Sequence, residues 1–161
     1  MADSFAIRLA VHADAPGIAV MSRDLIETGL GWRWTPRAVA RLIRDRTTNV
    51  AVACCGARMA GFGVMQYADD EARLLLFGVR PLHRRTGVGS GLLAWLEETA
   101  VVAGIEMIFL EARSTNAIAR AFYAAHGYRE LAMVPNYYSS SEDAVRMGKD
   151  FAVANASPRF G

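Results

Sequence analysis

The stretch from Arg84 to Gly91 gathers arginine, glycine and small hydroxyl residues in a pattern that suits a bound anion. Arg84, Arg85 and Thr86 lead into Gly87, Gly89 and Gly91, with only Val88 and Ser90 between them. An apolar run, Arg73 to Val79, enters the segment as a strand, and Leu92, Leu93, Leu96 and Ala100 leave it at helical spacing. Amides at a helix start have no partner inside the helix, and the helix dipole favours negative charge there. Glycine lets a phosphate come close to the main chain, and arginine adds charge. The chemistry fits a pyrophosphate. A Walker A loop needs a lysine that this segment lacks, and a Rossmann fingerprint belongs after the first strand of a βαβ unit, not in mid-chain. A plain glycine-rich turn with surface arginines is the remaining alternative.

Glu111, Asn116 and Tyr123 form the second informative stretch. Alternation along a strand puts Glu111 on one face with Met107 and Phe109. A carboxylate among apolar neighbours needs a partner or a task, so Glu111 is either a working group or half of an arginine pair. Asn116 is placed to N-cap the following helix. Tyr123 lies about 10 Å further along it. Ile118, Ala121, Phe122 and Ala125 predict the packed face, with Tyr123 at its margin. From there Tyr123 can return to the level of Glu111, or it simply packs. Glu27, Trp32 and Trp34 lie in a loop that could hold an aromatic or cationic amine, or be ordinary core and surface. Cys54 and Cys55 are adjacent, point to opposite faces of a strand, and read as small core residues.

The elements that must position these groups can be read in order. Phe5, Ile7 and Leu9 alternate as a half-buried first strand. Asp14 before Ala15-Pro16 starts a helix to about Ile26, and Thr35-Pro36 starts a second with Val39, Leu42 and Ile43 inward. Val50–Cys55 and Met59–Tyr67 make a hairpin around Gly56-Ala57, and Asp69-Asp70 turns into the central strand Arg73–Val79. Gly78 within it marks a bulge or a close backbone approach. A helix from Gly91 to about Val102, a strand from Met107 to Arg113, a helix from Asn116 to Ala125 closed by Gly127, and strands Tyr128–Val134 and Ala144–Met147 complete the chain. The order β-α-α-β-β-β-α-β-α-β-β gives an α/β (α+β) fold, a mixed, mostly antiparallel sheet flanked by helices.

With 161 residues and a hydrophobic fraction of 53%, the chain suits one domain, residues 1–151, followed by a flexible tail at 152–161. No run of about 18 uncharged apolar residues suggests a membrane span, and no basic start precedes an apolar run as in a signal peptide. A cytoplasmic protein is the expectation. A net charge of +2 is too small to argue for nucleic acid. Cysteine and histidine show no metal-site spacing, so no metal is expected.

Arg84-Arg85-Thr86-Gly87-Val88-Gly89 resembles the acetyl-CoA motif of GNAT acetyltransferases, Q/R-x-x-G-x-G/A, and Phe77-Gly78-Val79-Arg80-Pro81 resembles the bulged strand before it. The likeness in element order runs from Phe5 to Met147. It implies that the amides from Arg85 to Ser90 hold the CoA pyrophosphate, beside Arg84, Thr86, Gly87, Val88 and Gly89. It also implies that the backbone of Phe77, Gly78 and Val79 pairs with the pantetheine arm, one amide polarising the thioester carbonyl where charge grows in the transition state. The segment from Leu110 to Tyr128 resembles the subset that acetylates protein N-termini, notably bacterial ribosomal-protein alanine acetyltransferases. That resemblance implies Glu111 as general base, Tyr123 as general acid, and a CoA contact at Asn116. Asn136, Tyr137 and Tyr138 resemble the C-terminal part of the same enzymes, where tyrosines line a peptide groove; loop tyrosines capping a sheet edge fit as well. The loop from Glu27 to Trp34 departs from that subset. The implied activity is acetyl-CoA-dependent transfer of acetyl to a primary amine, a peptide N-terminus or a small molecule, by direct attack. An acyl-CoA-binding regulatory module with weak turnover is the alternative. A nucleic-acid-binding domain would need a basic face and stacking aromatics. Homodimers are a family expectation.

Overall fold

A computed structural model describes residues 4–138 and 142–152. The expected tail lies outside the described residues except for Ala152. Along the chain run β1 (Ala6–Leu9), α1 (Ala15–Leu25), α2 (Pro36–Arg44), β2 (Thr48–Cys55), β3 (Arg58–Ala68), β4 (Glu71–Val79), α3 (Val88–Val102), β5 (Met107–Arg113), α4 (Ala117–Ala125), β6 (Arg129–Tyr138) and β7 (Glu142–Asp150). That is the order the sequence predicts. Hydrogen bonding links the strands as β1-β2-β3-β4-β5-β7-β6. The ladders β1–β2, β2–β3, β5–β7 and β6–β7 are antiparallel, and β4–β5 is parallel. Two compact units divide the chain, one reaching to Gln66 and adding Leu75–Thr99, the other holding Tyr67–Leu74 and the residues from Ala100 onward.

In the first unit α1 and α2 bury Ile18, Ala19, Met21, Val39 and Leu42 against Val50, Val52, Phe62, Val64 and Leu76. Helix α2 starts as expected, with Thr35 Oγ1 accepting from the Ala38 amide at 3.3 Å. Asp14 opens α1 without capping it. Its carboxylate is taken by Arg8 at 2.7 Å and by the Val11 amide at 2.7 Å. Leu9, expected to be half-buried, is 53% exposed because β1 is an edge strand with one neighbour. Cys54 and Cys55 are free and half-buried; Cys54 packs against this core as expected, while Cys55 ends β2 next to the Gly56 turn.

Glycines set the spacing around β4. A Cβ on Gly61 would lie 2.9 Å from the Gly78 carbonyl oxygen, and one on Gly78 would meet Phe62, Leu25 and Ile26 at 3.3–3.7 Å. Gly78 thus marks a close approach, and the end of α1 rests on the strand there. Phe77 points to the other face, where it and Leu96 of α3 crowd the space over Gly63. Helix α3 begins at Val88, three residues before the expected Gly91. Gly87 has φ +90 and ends the turn, and the Gly91 amide already bonds back to the Gly87 carbonyl at 2.9 Å. Gly91 belongs inside the helix because Phe5 ring atoms sit 2.9 Å from where its Cβ would stand.

In the second unit β5 pairs with the first half of β4 from Glu71↔Met107 to Leu74↔Leu110, and with β7 along its whole length. Asn116 caps α4 through Oδ1, which accepts from the Ala119 amide at 3.0 Å. The expected packed face of α4 is corrected. Ile118 is 77% exposed, Ala121 and Ala125 are exposed, and Tyr123 is the buried residue of the helix. Alanine is small enough to sit on either side of a short helix, so the aromatic ring decides which face turns inward. Tyr137 and Tyr138 are strand residues of β6 and not loop residues. A register shift between Val134 and Tyr138, with Asn136 at φ 54, lets the strand resume beyond Pro135.

Gly61→Ala should lower stability by about 1–3 kcal/mol, since the obstacle is main chain and cannot swing aside. A Tm drop of several degrees in thermal unfolding checks this, and an unchanged Tm contradicts the close approach.

Candidate active site

The turn between β4 and α3 is built from its base. His83 is buried, with Nδ1 3.8 Å from Cys55 Sγ, and its carbonyl accepts from the Thr86 hydroxyl. Arg80 Nε donates to the Met59 carbonyl at 2.8 Å, and Arg84 Nε donates to the Val79 carbonyl at 3.3 Å. These bonds fix the turn to the β2–β3 hairpin and to the end of β4. Arg85 takes φ 61 and Gly87 φ 90, which swings the chain through the left-handed region before Val88 enters the helix. Because the first helical bond is Gly91 to Gly87, the amides of Val88 and Gly89 face out of the helix end. A Cβ on Gly87 would meet nothing within 4 Å, so the space beside it is open. Among the described residues Arg84 and Arg85 have no ion-pair partner. Outward amides, an open hollow and two exposed arginines fit a diphosphate.

Glu27 turns out to be a structural clamp. Only 6% exposed, it accepts from Ser22 Oγ at 2.9 Å, from the Arg33 amide at 2.7 Å and from the Trp34 amide at 3.1 Å. Its bonding capacity is spent on holding the loop after α1, not on reaching an amine. Trp34 packs on the core, while Trp32 is 40% exposed, donates to the Ala19 carbonyl at 3.2 Å and lies under Arg23. Of the loop's two tryptophans only Trp32 is exposed.

Glu111 has two partners. Its Oε1 lies 3.0 Å from Arg73 and 3.0 Å from Arg146, and its side chain is 4% exposed. Arg146 sits directly across the β5–β7 ladder from Glu111, while Arg73 comes from β4. Tyr138, which the sequence offers only as a groove-lining or edge-capping residue, reaches Glu111. Its hydroxyl donates to the Glu111 carbonyl at 3.1 Å, and the Arg113 guanidinium lies over its ring. The doublet of tyrosines was visible; its reach back to β5 was not, because that depends on the bulge in β6. Tyr123 packs edge-on against Phe122 and Tyr128. Burial raises the Tyr123 hydroxyl well above the ordinary phenol range, with a smaller push from Tyr138, and burial raises Tyr138 in the same way. Tyr138 therefore neighbours both Glu111 and Tyr123. Asn116 is exposed at the start of α4.

A mixed seven-stranded sheet of this order, with a glycine- and arginine-rich turn leading from β4 into α3, is the acetyltransferase class of fold. The sequence profile of the Acetyltransferase (GNAT) family matches residues 19–128, and the chain belongs to that family as an N-acetyltransferase. The ribosomal protein bS18-alanine N-acetyltransferase of Escherichia coli is similar, 33% identical over 71% of this chain and 78% of that one. Among solved structures, Ard1 from Thermoplasma volcanium matches with a TM-score of 0.80 and 30% identity over 91% of this chain and 97% of that one. The Escherichia coli ribosomal-protein alanine acetyltransferase structure matches with a TM-score of 0.80 and 26% identity over 91% and 94%.

The two raised phenols make an alkaline prediction. A group whose folded pKa lies above its unfolded value contributes stability that is complete below about pH 10 and is lost as pH rises beyond it. In a spectrophotometric titration, two of the five tyrosines should ionise only as the protein unfolds. Five phenols titrating together near pH 10 would contradict the buried placement.

Proposed function

We propose that the chain transfers acetyl from acetyl-CoA to the α-amine of a polypeptide, using residues 1–151 as one working domain. The observation that carries the cofactor half is the start of α3, with outward amides, the hollow at Gly87 and the exposed Arg84 and Arg85. In this reading the amides from Arg85 to Ser90 bind the diphosphate, with Thr86 and Val88 shaping the turn. Gly89 keeps the first helical turn open to a close approach. The Phe77–Val79 stretch lies beyond the last β4–β5 pair, Leu74↔Leu110, which leaves it suited to pairing with an extended arm. Capping uses Oδ1 of Asn116, and its NH2 group is the part a cofactor contact would employ. Bound acetyl-CoA supplies an activated acyl group; the protein's share is to orient it and to move protons.

For those proton steps Glu111 is the base, directly or through a water, and Tyr123 is the acid. A phenol holds its proton at neutral pH even without any shift, so Tyr123 is protonated and placed as the candidate donor to a departing thiolate. The polypeptide acceptor is supported by the name of the similar Escherichia coli enzyme, a ribosomal-protein alanine N-acetyltransferase. One observation favours a second reading, an acyl-CoA-binding module with little turnover: two arginines already engage the Glu111 carboxylate.

Calorimetry with coenzyme A at low salt should give saturable binding, and absence of heat and association would end the cofactor assignment. Gly87→Val should weaken binding about tenfold, because a side chain is strained at that φ and fills the hollow. Turnover at saturating acetyl-CoA should fall about 100-fold or more in Tyr123→Phe. Unchanged turnover would remove the acid role, whereas a protein that binds coenzyme A yet acetylates no amine or peptide would favour the second reading.

A further inference from the structure

Three arginines and two glutamates share one region of the second unit's sheet. Arg113 is balanced by Glu142 at 2.9 Å, whereas Glu111 serves both Arg73 and Arg146. The cluster carries one surplus positive charge. Its layering is unequal: the Glu111 side chain is 4% exposed while Arg73 and Arg146 are 41% and 36% exposed. Solvent and ligands therefore meet guanidinium first and the carboxylate beneath it. Beside the cluster is an apolar shelf. Over Gly148, the Leu131, Met107 and Phe109 side chains close to 2.8, 3.0 and 3.3 Å of the missing Cβ, and Phe109 faces Arg73 across the β4–β5 ladder.

A protonated amine approaching Glu111 is repelled by this surface unless the acceptor brings its own negative charge. Guanidinium groups bind carboxylates in a forked geometry, and the bond is stronger than one between neutral groups. We propose that Arg73 and Arg146 recognise a carboxylate on the acceptor next to the reacting nitrogen. The substrate class is polypeptides with Asp or Glu at one of the first two positions. An apolar residue further along would then find the Met107–Phe109–Leu131 shelf. The inference rests on the reading of Glu111 as the acceptor-side base. In this role Arg73 and Arg146 bind substrate and draw part of their charge away from Glu111, so an acidic acceptor exposes the carboxylate as it docks.

The test uses peptides identical except for Glu, Gln or Lys at the second position. With the CoA-bound protein, equilibrium binding by calorimetry and kcat/KM are both measured. The Glu peptide should bind about tenfold tighter than the Gln peptide, with Lys weakest, and kcat/KM should follow the same order. The double variant Arg73→Gln/Arg146→Gln should bring the three peptides within about threefold of one another while keeping its affinity for coenzyme A. Since these substitutions leave a covered carboxylate without partners, a wild-type salt series is the arm that needs no variant. The Glu-over-Gln ratio should shrink as ionic strength rises from about 0.05 to 0.5 M. Equal binding of Glu and Gln peptides, or a preference that neither salt nor the double variant moves, overturns the proposal. A clear Glu preference in binding with no acetylation of any peptide supports the arginine pair and removes the catalytic roles of Glu111 and Tyr123.

Discussion

The proposed cofactor half of the activity depends on how the chain turns from β4 into α3 and what the start of that helix presents. A helix start is always short of acceptors for its first amides. Most helices answer with a side-chain cap, as Thr35 and Asn116 do for α2 and α4. The start of α3 is handled differently. Thr86, the nearest hydroxyl before Val88, is turned backwards onto the His83 carbonyl, and the chain passes through left-handed conformations at Arg85 and Gly87. The polar groups of the turn brace its base, and the mouth of the helix is left to a ligand. A helix dipole and two arginines point the same electrostatic way there.

The second unit solves a different problem, that of keeping a carboxylate under cover. Glu111 is nearly sealed, and burying a charge without partners is expensive. Two guanidinium groups and a tyrosine hydroxyl on its own carbonyl make the position tenable. The same partners give the site its sign. An enzyme that works on amines has a reason to avoid bare positive charge, so a cationic cover over Glu111, in its proposed role as base, constrains what the acceptor must bring.

Local chemistry made much of this legible. The bounds of β5 follow from a run of alternating apolar residues, and Thr35-Pro36 and Asn116 are caps with a mechanism. The turn before α3 stands out because arginine and glycine cluster there at nearly consecutive positions. What sequence could not supply was set by distant packing. Arg73 and Arg146 reach Glu111 only through strand pairing, and nothing in their spacing announces it. The sequence places the start of α3 three residues late because Gly87 and Gly89, on either side of Val88, read as loop. Tyr123 was assigned to a margin because a helix built largely of alanine offers no strong periodicity, and Glu27 could not be known as a clamp before its loop had a shape.

The meeting of Gly61 and Gly78 has a consequence for how this sequence can drift. Most crowded positions in a core allow a second-site remedy, where a larger residue on one side is matched by a smaller one opposite. Here the opposing atom is a peptide oxygen, and the residue that carries it is already the smallest available. No reciprocal trimming exists. A lineage that lost Gly61 would have to move the strand that leads into the turn before α3, so the position should behave as an evolutionary one-way gate.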